Sequence, residues 1–289
     1  MKWFERMDKP GFSLEKANVA IIGLGLMGGS MALSLKGRCG RLSAIDTHLP
    51  TIELARRQEI VDVAEAHAGI LADAELVILA CPVPAILDWL RRLPEYVRHT
   101  CIVLDIGSSK RAILAALETL PANFDPIGGH PICGRERLSL ENAERFLYHD
   151  APFVLTPLER TGERARSAAL QLVETLGANP IWMDAADHDR LLAATSHLPY
   201  LIASALAGST QKEARPLIGP GFRSTTRLAG TPSSMMLGVL RSNADNLLAS
   251  IARFRDSLEL IESALQKGDE EALGSVLDQS CNSYLSLIA

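Results

Sequence analysis

The chain lacks most of what would place it outside an ordinary aqueous compartment. Its five cysteines (Cys39, Cys81, Cys101, Cys133, Cys281) are odd in number and form no C-x-x-C pair. That argues against a disulfide framework and for free, largely buried thiols in a reducing cytosol. The opening MKWFERMDKPGFSLEK has no apolar core of a secretory signal, and no later run is read as approaching the length of a membrane span. A basic excess is missing as well: 29 Lys and Arg stand against 34 Asp and Glu, a formal charge of −5. No global positive field is therefore available for nucleic acid or an anionic membrane, and an anionic small molecule would need local positive charge at its site. Repeats, low-complexity tracts and long linkers are absent too. A cytoplasmic globular protein is the expectation these absences leave.

Two kinds of pattern divide the 289 residues. Up to residue 183, short apolar runs alternate with helical spacing. The expected strands are 19–25, 42–46, 76–82, 101–107, 125–129, 153–157 and 179–183. The expected helices between them are 27–35, 51–58, 84–93, 110–120 and 163–176. Parallel neighbours need crossover connections, so this alternation predicts an α/β Rossmann-type domain, its mostly parallel sheet covered on both faces. From residue 184 the strand pattern stops. Segments 187–208, 233–267 and 269–287 read as helices, punctuated by Pro and Gly at 215–221 and 230–232. The expected division is a dinucleotide-binding domain, 1–183, and an all-α substrate and dimerisation domain, 184–289. With no sheet to pack against, the helices are expected to bury part of their apolar surface against a second copy as a homodimer.

GLGLMGG (23–29) puts Gly23, Gly25 and Gly28 in G-x-G-x-x-G spacing between an apolar strand and a helical run. The first glycine permits a tight turn, the second lets backbone approach a pyrophosphate, and the third lets helix and strand pack closely. Leu24, Leu26 and Met27 fill the loop between them and belong to the same candidate cofactor site. Asp46, about twenty residues on, ends the next strand, where a carboxylate can accept hydrogen bonds from both ribose hydroxyls. It would repel a 2′-phosphate, and the following Thr47 offers no charge to neutralise one. His48 is the one nearby group that could, so NAD is expected rather than NADP.

Further segments carry polar groups that a core does not need. DIGSSK (105–110) ends an apolar strand at the edge where α/β sheets bind ligands, with Ser108 either at the site or capping the next helix. GGHPICGRE (128–136) reads as a fixed loop displaying His130; a metal pair with Cys133 lacks third and fourth ligands. TSHLPY (195–200) sets His197 two residues before Pro199, which cannot donate to the carbonyl of Thr195, so the helix should bend there. His197 is either a core histidine or a site residue. GFRSTTRLAGTP (221–232) supplies Arg223, read as structural, and Arg227, read as functional. Met235 and Met236 read as core fillers.

Taken together and in this order, the glycine motif, DIGSSK, GGHPICG, DHDR…SHLP (187–199) and GFRSTTRLAG resemble the prephenate/arogenate (cyclohexadienyl) dehydrogenase family over roughly residues 19–232. The resemblance implies NAD-dependent oxidative decarboxylation of prephenate or arogenate in tyrosine biosynthesis. His130 would be the base that takes the substrate hydroxyl's proton, a task suited to imidazole near neutral pH. Ser108 would share that hydrogen-bond network, at the nicotinamide. Arg227 would clamp a carboxylate bidentately, and His197 would help bind substrate across the cleft. Glu136 stands where the family can carry a polar gate over the site. Two departures bear on substrate choice: Tyr200 stands where many members have a second histidine, and TPSSMM (231–236) lacks their Asp-Pro and Trp. Other readings are a variant acting on an amino-substituted prephenate, a β-hydroxyacid dehydrogenase, and a non-catalytic NAD sensor. The β-hydroxyacid chemistry would draw on a helical-domain lysine, for which only Lys212 is available between residues 184 and 232.

Overall fold

The computed structural model describes residues 11–135 and 139–288. Eight strands form one sheet: β1 (Asn18–Ile22), β2 (Arg41–Ile45), β3 (Val63–Glu65), β4 (Leu76–Leu79), β5 (Cys101–Asp105), β6 (Phe124–Pro131), β7 (Pro152–Pro157) and β8 (Asn179–Trp182). Their order is β3-β2-β1-β4-β5-β6-β7-β8. All pairs are parallel except β6 with β7. Helices α1 (Leu26–Leu35), α2 (Leu49–Arg57), α3 (Val83–Tyr96), α4 (Arg111–Glu118) and α5 (Glu163–Leu176) make the crossovers. The strand order reverses between β1 and β4, the switch point outside which doubly wound sheets bind ligands.

The central strands are apolar without interruption because both of their faces are covered. Side chains alternate between two cores. Val19, Ile21, Leu76, Ile78, Ile102 and Leu104 pack with Met31, Leu35 and Leu172 of α1 and α5. Ala20, Ile22, Val77, Leu79 and Val103 pack with Ile86, Leu90, Ile113 and Leu117 of α3 and α4 on the other face. This period of two is what the alternating strand Cβ directions demand.

Two strands differ from the sequence expectation. β3, three residues long (VAE), is too short and too mixed to leave a periodic signal. β6 runs on through His130 to Pro131, because β7 pairs antiparallel with residues 127–131 and places His130 opposite Val154. His130 therefore sits on a strand end rather than in the loop expected for it.

Beyond β8 the chain is helical. Asp184 caps α6 (Ala185–Leu192), accepting from the N–H groups of Ala186 and Asp187 at 2.9 Å each. The helix passes through a π turn, Ala193–His197, into α7 (Leu198–Ser209). The turn lies where Pro199 withholds its donor, the bend expected beside His197. After it come a 3-10 turn (Lys212–Leu217), α8 (Pro220–Thr226), a second 3-10 turn (Arg227–Gly230), α9 (Ser233–Ser242), α10 (Ala244–Lys267) and α11 (Glu270–Ile288). The single helix expected over 233–267 is broken at Asn243. That residue's buried side chain donates to the carbonyl of Asp189 at 2.6 Å and accepts from Arg111 at 3.3 Å.

One sequence expectation is corrected. The continuous helical stretch Ala185–Ser209 is long and apolar enough to cross a membrane by length and composition, with only 22% of its most apolar window buried. Its first turns nonetheless carry His188 and Asp189, both fully buried and hydrogen-bonded to the sheet domain.

Candidate active site

The first feature is a cleft of about 490 Å³ between the carboxyl edge of the sheet and α9. Gly23, Gly25, Leu26, Met27, Asp46 and Thr47 line one side, and Ala80, Cys81, Ile106 and Ser108 another. Ser234 and Met235 reach it from the helical segment, so Met235 is a wall of the cleft rather than a core filler. Gly23 holds φ at +103°, and a Cβ there would come within 2.6 Å of the carbonyl oxygen of Ala80. Behind it, a Cβ on Gly28 would lie 1.9 Å from the carbonyl oxygen of Gly23. The turn therefore admits no side chain at either position, which leaves bare backbone at the mouth of α1 for a phosphate.

Asp46 is held by its own turn: Oδ2 accepts from the N–H of Leu24 at 2.7 Å and Oδ1 from the N–H of His48 at 2.9 Å. Each carboxylate oxygen keeps a further lone pair for a hydroxyl. Leu24 itself is in the core and its N–H is committed to Asp46, so of the loop residues it supports the cleft rather than lining it. The His48 imidazole is bonded to Thr51 at 3.0 Å. The thiol of Cys81 is pushed up to about 12 by burial, which leaves it inert as a nucleophile.

The second feature is a buried cluster beside the far wall. The β5–β6 register ends with Asp105 opposite Gly128. Two residues on, β6 carries His130, which is buried and not among the residues lining the cleft. The Nδ1 of His130 lies 2.8 Å from Nε2 of His188, and the Nδ1 of His188 lies 2.8 Å from Oδ1 of Asp189. Burial, with the adjacent His188, Lys110 and His197, holds the His130 imidazole well below the ordinary histidine range and hence neutral. Burial alone would push Asp189 up. Hydrogen bonds from His188 and from the N–H groups of Arg111 and Lys110 outweigh it and hold the carboxyl below the usual range.

Those backbone bonds also answer how α4 is capped. Its first residues receive no side-chain cap from their own segment. Instead Asp189 accepts from the N–H of Lys110 at 2.7 Å and of Arg111 at 3.0 Å. Ser108 is thus not the cap of α4; it lines the cleft. Arg111 also bonds Asp245 through both terminal nitrogens, tying α4 to α10. Lys110 points inward, where its Nζ pairs with Asp105 and donates to the carbonyl of Gly129 at 2.7 Å, the residue before His130.

The remaining sequence candidates sit differently. His197 is buried beside the backbone of Ser108, its Nδ1 3.2 Å from the Asn243 amide nitrogen, and its Nε2 makes no hydrogen bond of ordinary geometry among the described residues. Arg227 and Arg223 are exposed, and Arg227, which opens the second 3-10 turn, is not among the residues lining the cleft. Glu136 lies outside the described residues. Lys212 is exposed on a 3-10 turn away from the cleft lining. Among the described residues, no group of three or more His, Cys, Asp or Glu side chains is arranged to hold a metal ion.

Sequence reasoning did not single out His188 and Asp189, although both lie in the DHDR stretch. A His-Asp pair opening a helix carries no signal of its own; only its packing against β6 and α4 gives it a place.

Residues 31–182 match the family described as prephenate dehydrogenase, nucleotide-binding domain, and residues 184–279 match prephenate dehydrogenase, dimerization domain. The prephenate dehydrogenase of Lactococcus lactis is 30% identical over 265 residues, which span 88% of this chain and 73% of that protein. The cyclohexadienyl dehydrogenase of Zymomonas mobilis is 29% identical over 280 residues, spanning 93% and 96%. The crystal structure of A. aeolicus prephenate dehydrogenase in complex with hydroxyphenyl propionate and NAD+ superposes with a TM-score of 0.87. It is 28% identical and covers 96% of this chain and 100% of that one.

Proposed function

The chain belongs to the prephenate dehydrogenase family, and on that premise we propose that it oxidises and decarboxylates prephenate or arogenate with NAD as hydride acceptor, in tyrosine biosynthesis. The observation that carries the reading is the buried imidazole of His130, held neutral on β6, the strand paired with the β5 that leads into the Ser108 wall of a glycine-lined dinucleotide cleft.

The cleft fits the cofactor. Gly23 and Gly28 leave no room for side chains where backbone must meet a pyrophosphate, and Asp46 keeps lone pairs for ribose hydroxyls. NAD, when bound, supplies the acceptor for the hydride on the hydroxyl-bearing ring carbon. The protein's own residues supply the rest. His130 takes the hydroxyl proton as the carbon–oxygen double bond forms, and a neutral imidazole is the protonation state that task needs. Breaking the bond to the ring carboxylate then releases CO₂; its electrons aromatise the ring and move the carbonyl π pair onto oxygen, which takes back the proton held by His130 to leave the phenol. Ser108 shares the hydroxyl's hydrogen-bond network. Arg227 is assigned to a substrate carboxylate on the family resemblance, a task that the planar guanidinium suits. His197 is assigned to substrate through its Nε2, which makes no hydrogen bond of ordinary geometry among the described residues, and Glu136 to a gating role by the family resemblance alone.

The division after residue 183 follows the same reading, with the helical part forming a homodimer. A dimerization-domain match and the exposed Leu258, Leu265, Leu277, Leu285 and Leu287 of α10 and α11 support it. The outward face of Ala185–Ser209 belongs to that surface rather than to a membrane, and the enzyme is placed in the cytoplasm. A monomeric mass by light scattering at micromolar concentration would contradict the dimer.

The deciding experiment measures reduced-cofactor absorbance with prephenate and arogenate separately, each with NAD⁺ and with NADP⁺. Turnover with NAD⁺ and at least one substrate is expected. No activity with any pair removes the assignment, and a preference for NADP⁺ removes the role given to Asp46.

A further inference from the structure

The base assigned above is the end of a chain of hydrogen bonds, and proton counting along that chain starts at Asp189. Its Oδ1 accepts from the N–H of Lys110 and faces Nδ1 of His188, while its Oδ2 accepts from the N–H and Nε of Arg111. A carboxylate with this many donors is ionised and can only accept. The Nδ1 of His188 therefore carries a hydrogen. In the neutral ring its Nε2 is then a bare lone pair, so the hydrogen between the two rings belongs to Nδ1 of His130. The Nε2 of His130 is left without a hydrogen.

We propose that His188 and Asp189 are positioning residues for the reaction: they hold His130 as the Nδ1–H tautomer and so reserve its Nε2 for the substrate hydroxyl. The assignment rests on His130 being the base. In the step itself the hydroxyl O–H bond breaks and an N–H bond forms on Nε2, while the hydride leaves the same carbon for the nicotinamide. The imidazolium this creates is opposed first by burial, then by any charge on His188, by Lys110, whose charge is shared with Asp105, and by any charge on His197. The anion of Asp189, one imidazole away and seated against the first turn of α4, works against these charges.

Geometry distinguishes this from an ordinary buried histidine pair. The three groups come from two parts of the chain, with His130 at the end of β6 and His188–Asp189 in α6. All are buried, and both linking distances are 2.8 Å. A buried imidazole pair without the carboxylate would have no preferred direction of donation.

The test has one arm that needs no substrate. In ¹⁵N-labelled parent protein, His130 should show a protonated Nδ1 and a pyridine-like Nε2. A hydrogen on Nε2 overturns the proposal. In the second arm, His188→Met, which removes the acceptor, should lower kcat roughly 10²–10³-fold with the NAD⁺ dissociation constant unchanged. His188→Gln, whose carbonyl oxygen can still accept from His130, should recover at least about tenfold of that loss. Equal kcat in His188→Met and parent also overturns it. A parent with the expected tautomer that turns over neither prephenate nor arogenate would remove the reaction, and with it the role, while leaving the tautomer in place.

Discussion

Removing the ammonium of Lys110 while keeping its unbranched apolar stem, as in Lys110→Met, should be among the most damaging single changes outside the cleft. Lys110 and Asp105 are both fully buried, and burial drives the lysine pKa down and the carboxyl pKa up, each opposed by the other's charge. Without Lys110, Asp105 keeps only backbone N–H groups, that of Gly107 at 2.8 Å on Oδ2 and that of Gly129 close by. Its Oδ1 makes no hydrogen bond of ordinary geometry among the described residues. Breaking a buried pair in this way costs about 3–5 kcal/mol. At roughly 2–4 °C per kcal/mol for a chain of this size, Tm should fall by about 10 °C.

The pH dependence gives a second check on the same variant. A carboxyl whose folded pKa is raised binds a proton that the unfolded chain releases, so stability falls as pH rises above the ordinary carboxylate range. The deficit should therefore be larger at pH 8 than at pH 5, growing by at most about 1.4 kcal/mol per unit. Thermal melts of the parent, Lys110→Met and the Asp105→Asn/Lys110→Met double variant at both pH values would measure it. The double variant should regain much of the loss, because no buried charge is stranded. A Lys110→Met melt within 2 °C of the parent at both pH values would refute the argument.

Three further outcomes are expected. His130→Asn should lose roughly 10²-fold or more in kcat with little change in NAD⁺ affinity; unimpaired turnover would exclude it as the base. Arg227→Ala should chiefly raise KM for the anionic substrate, and kcat falling at constant KM would place the residue elsewhere. Asp245 is held down to about 2 by its hydrogen bonds with Arg111. A lowered carboxyl contributes stability above its unfolded pKa that is lost as pH falls through the folded one. Denaturant curves of Asp245→Asn should therefore show a deficit at pH 6 that vanishes near pH 2, and a deficit independent of pH would contradict the clasp.

Much of the sheet domain was legible because its signals are local. The apolar runs of β1, β4 and β5 must be buried on both faces, and a glycine turn between strand and helix has few alternatives. What was misread depended on distant partners. β6 extends to His130 only because β7 pairs with it from the other direction. The helix over 233–267 breaks at Asn243 because that amide is drawn to Asp189 and Arg111, with no glycine or proline to announce it. Ser108 looked like a possible cap for α4, yet the cap arrives from Asp189, some eighty residues later.

The site divides along the same line. By itself the sequence determined the turn at Gly23–Gly28, the acidic end of β2 at Asp46 and the residue types fit for base and clamp. Each follows from sterics or chemistry within a few residues. Tertiary structure decided which of three histidines has a hydrogen-bond chain behind it, that Met235 walls the cleft, and that Lys110 is buried against Asp105. Protonation state and tautomer depend on burial and on partners tens of residues away, and these come into being only when the chain closes on itself.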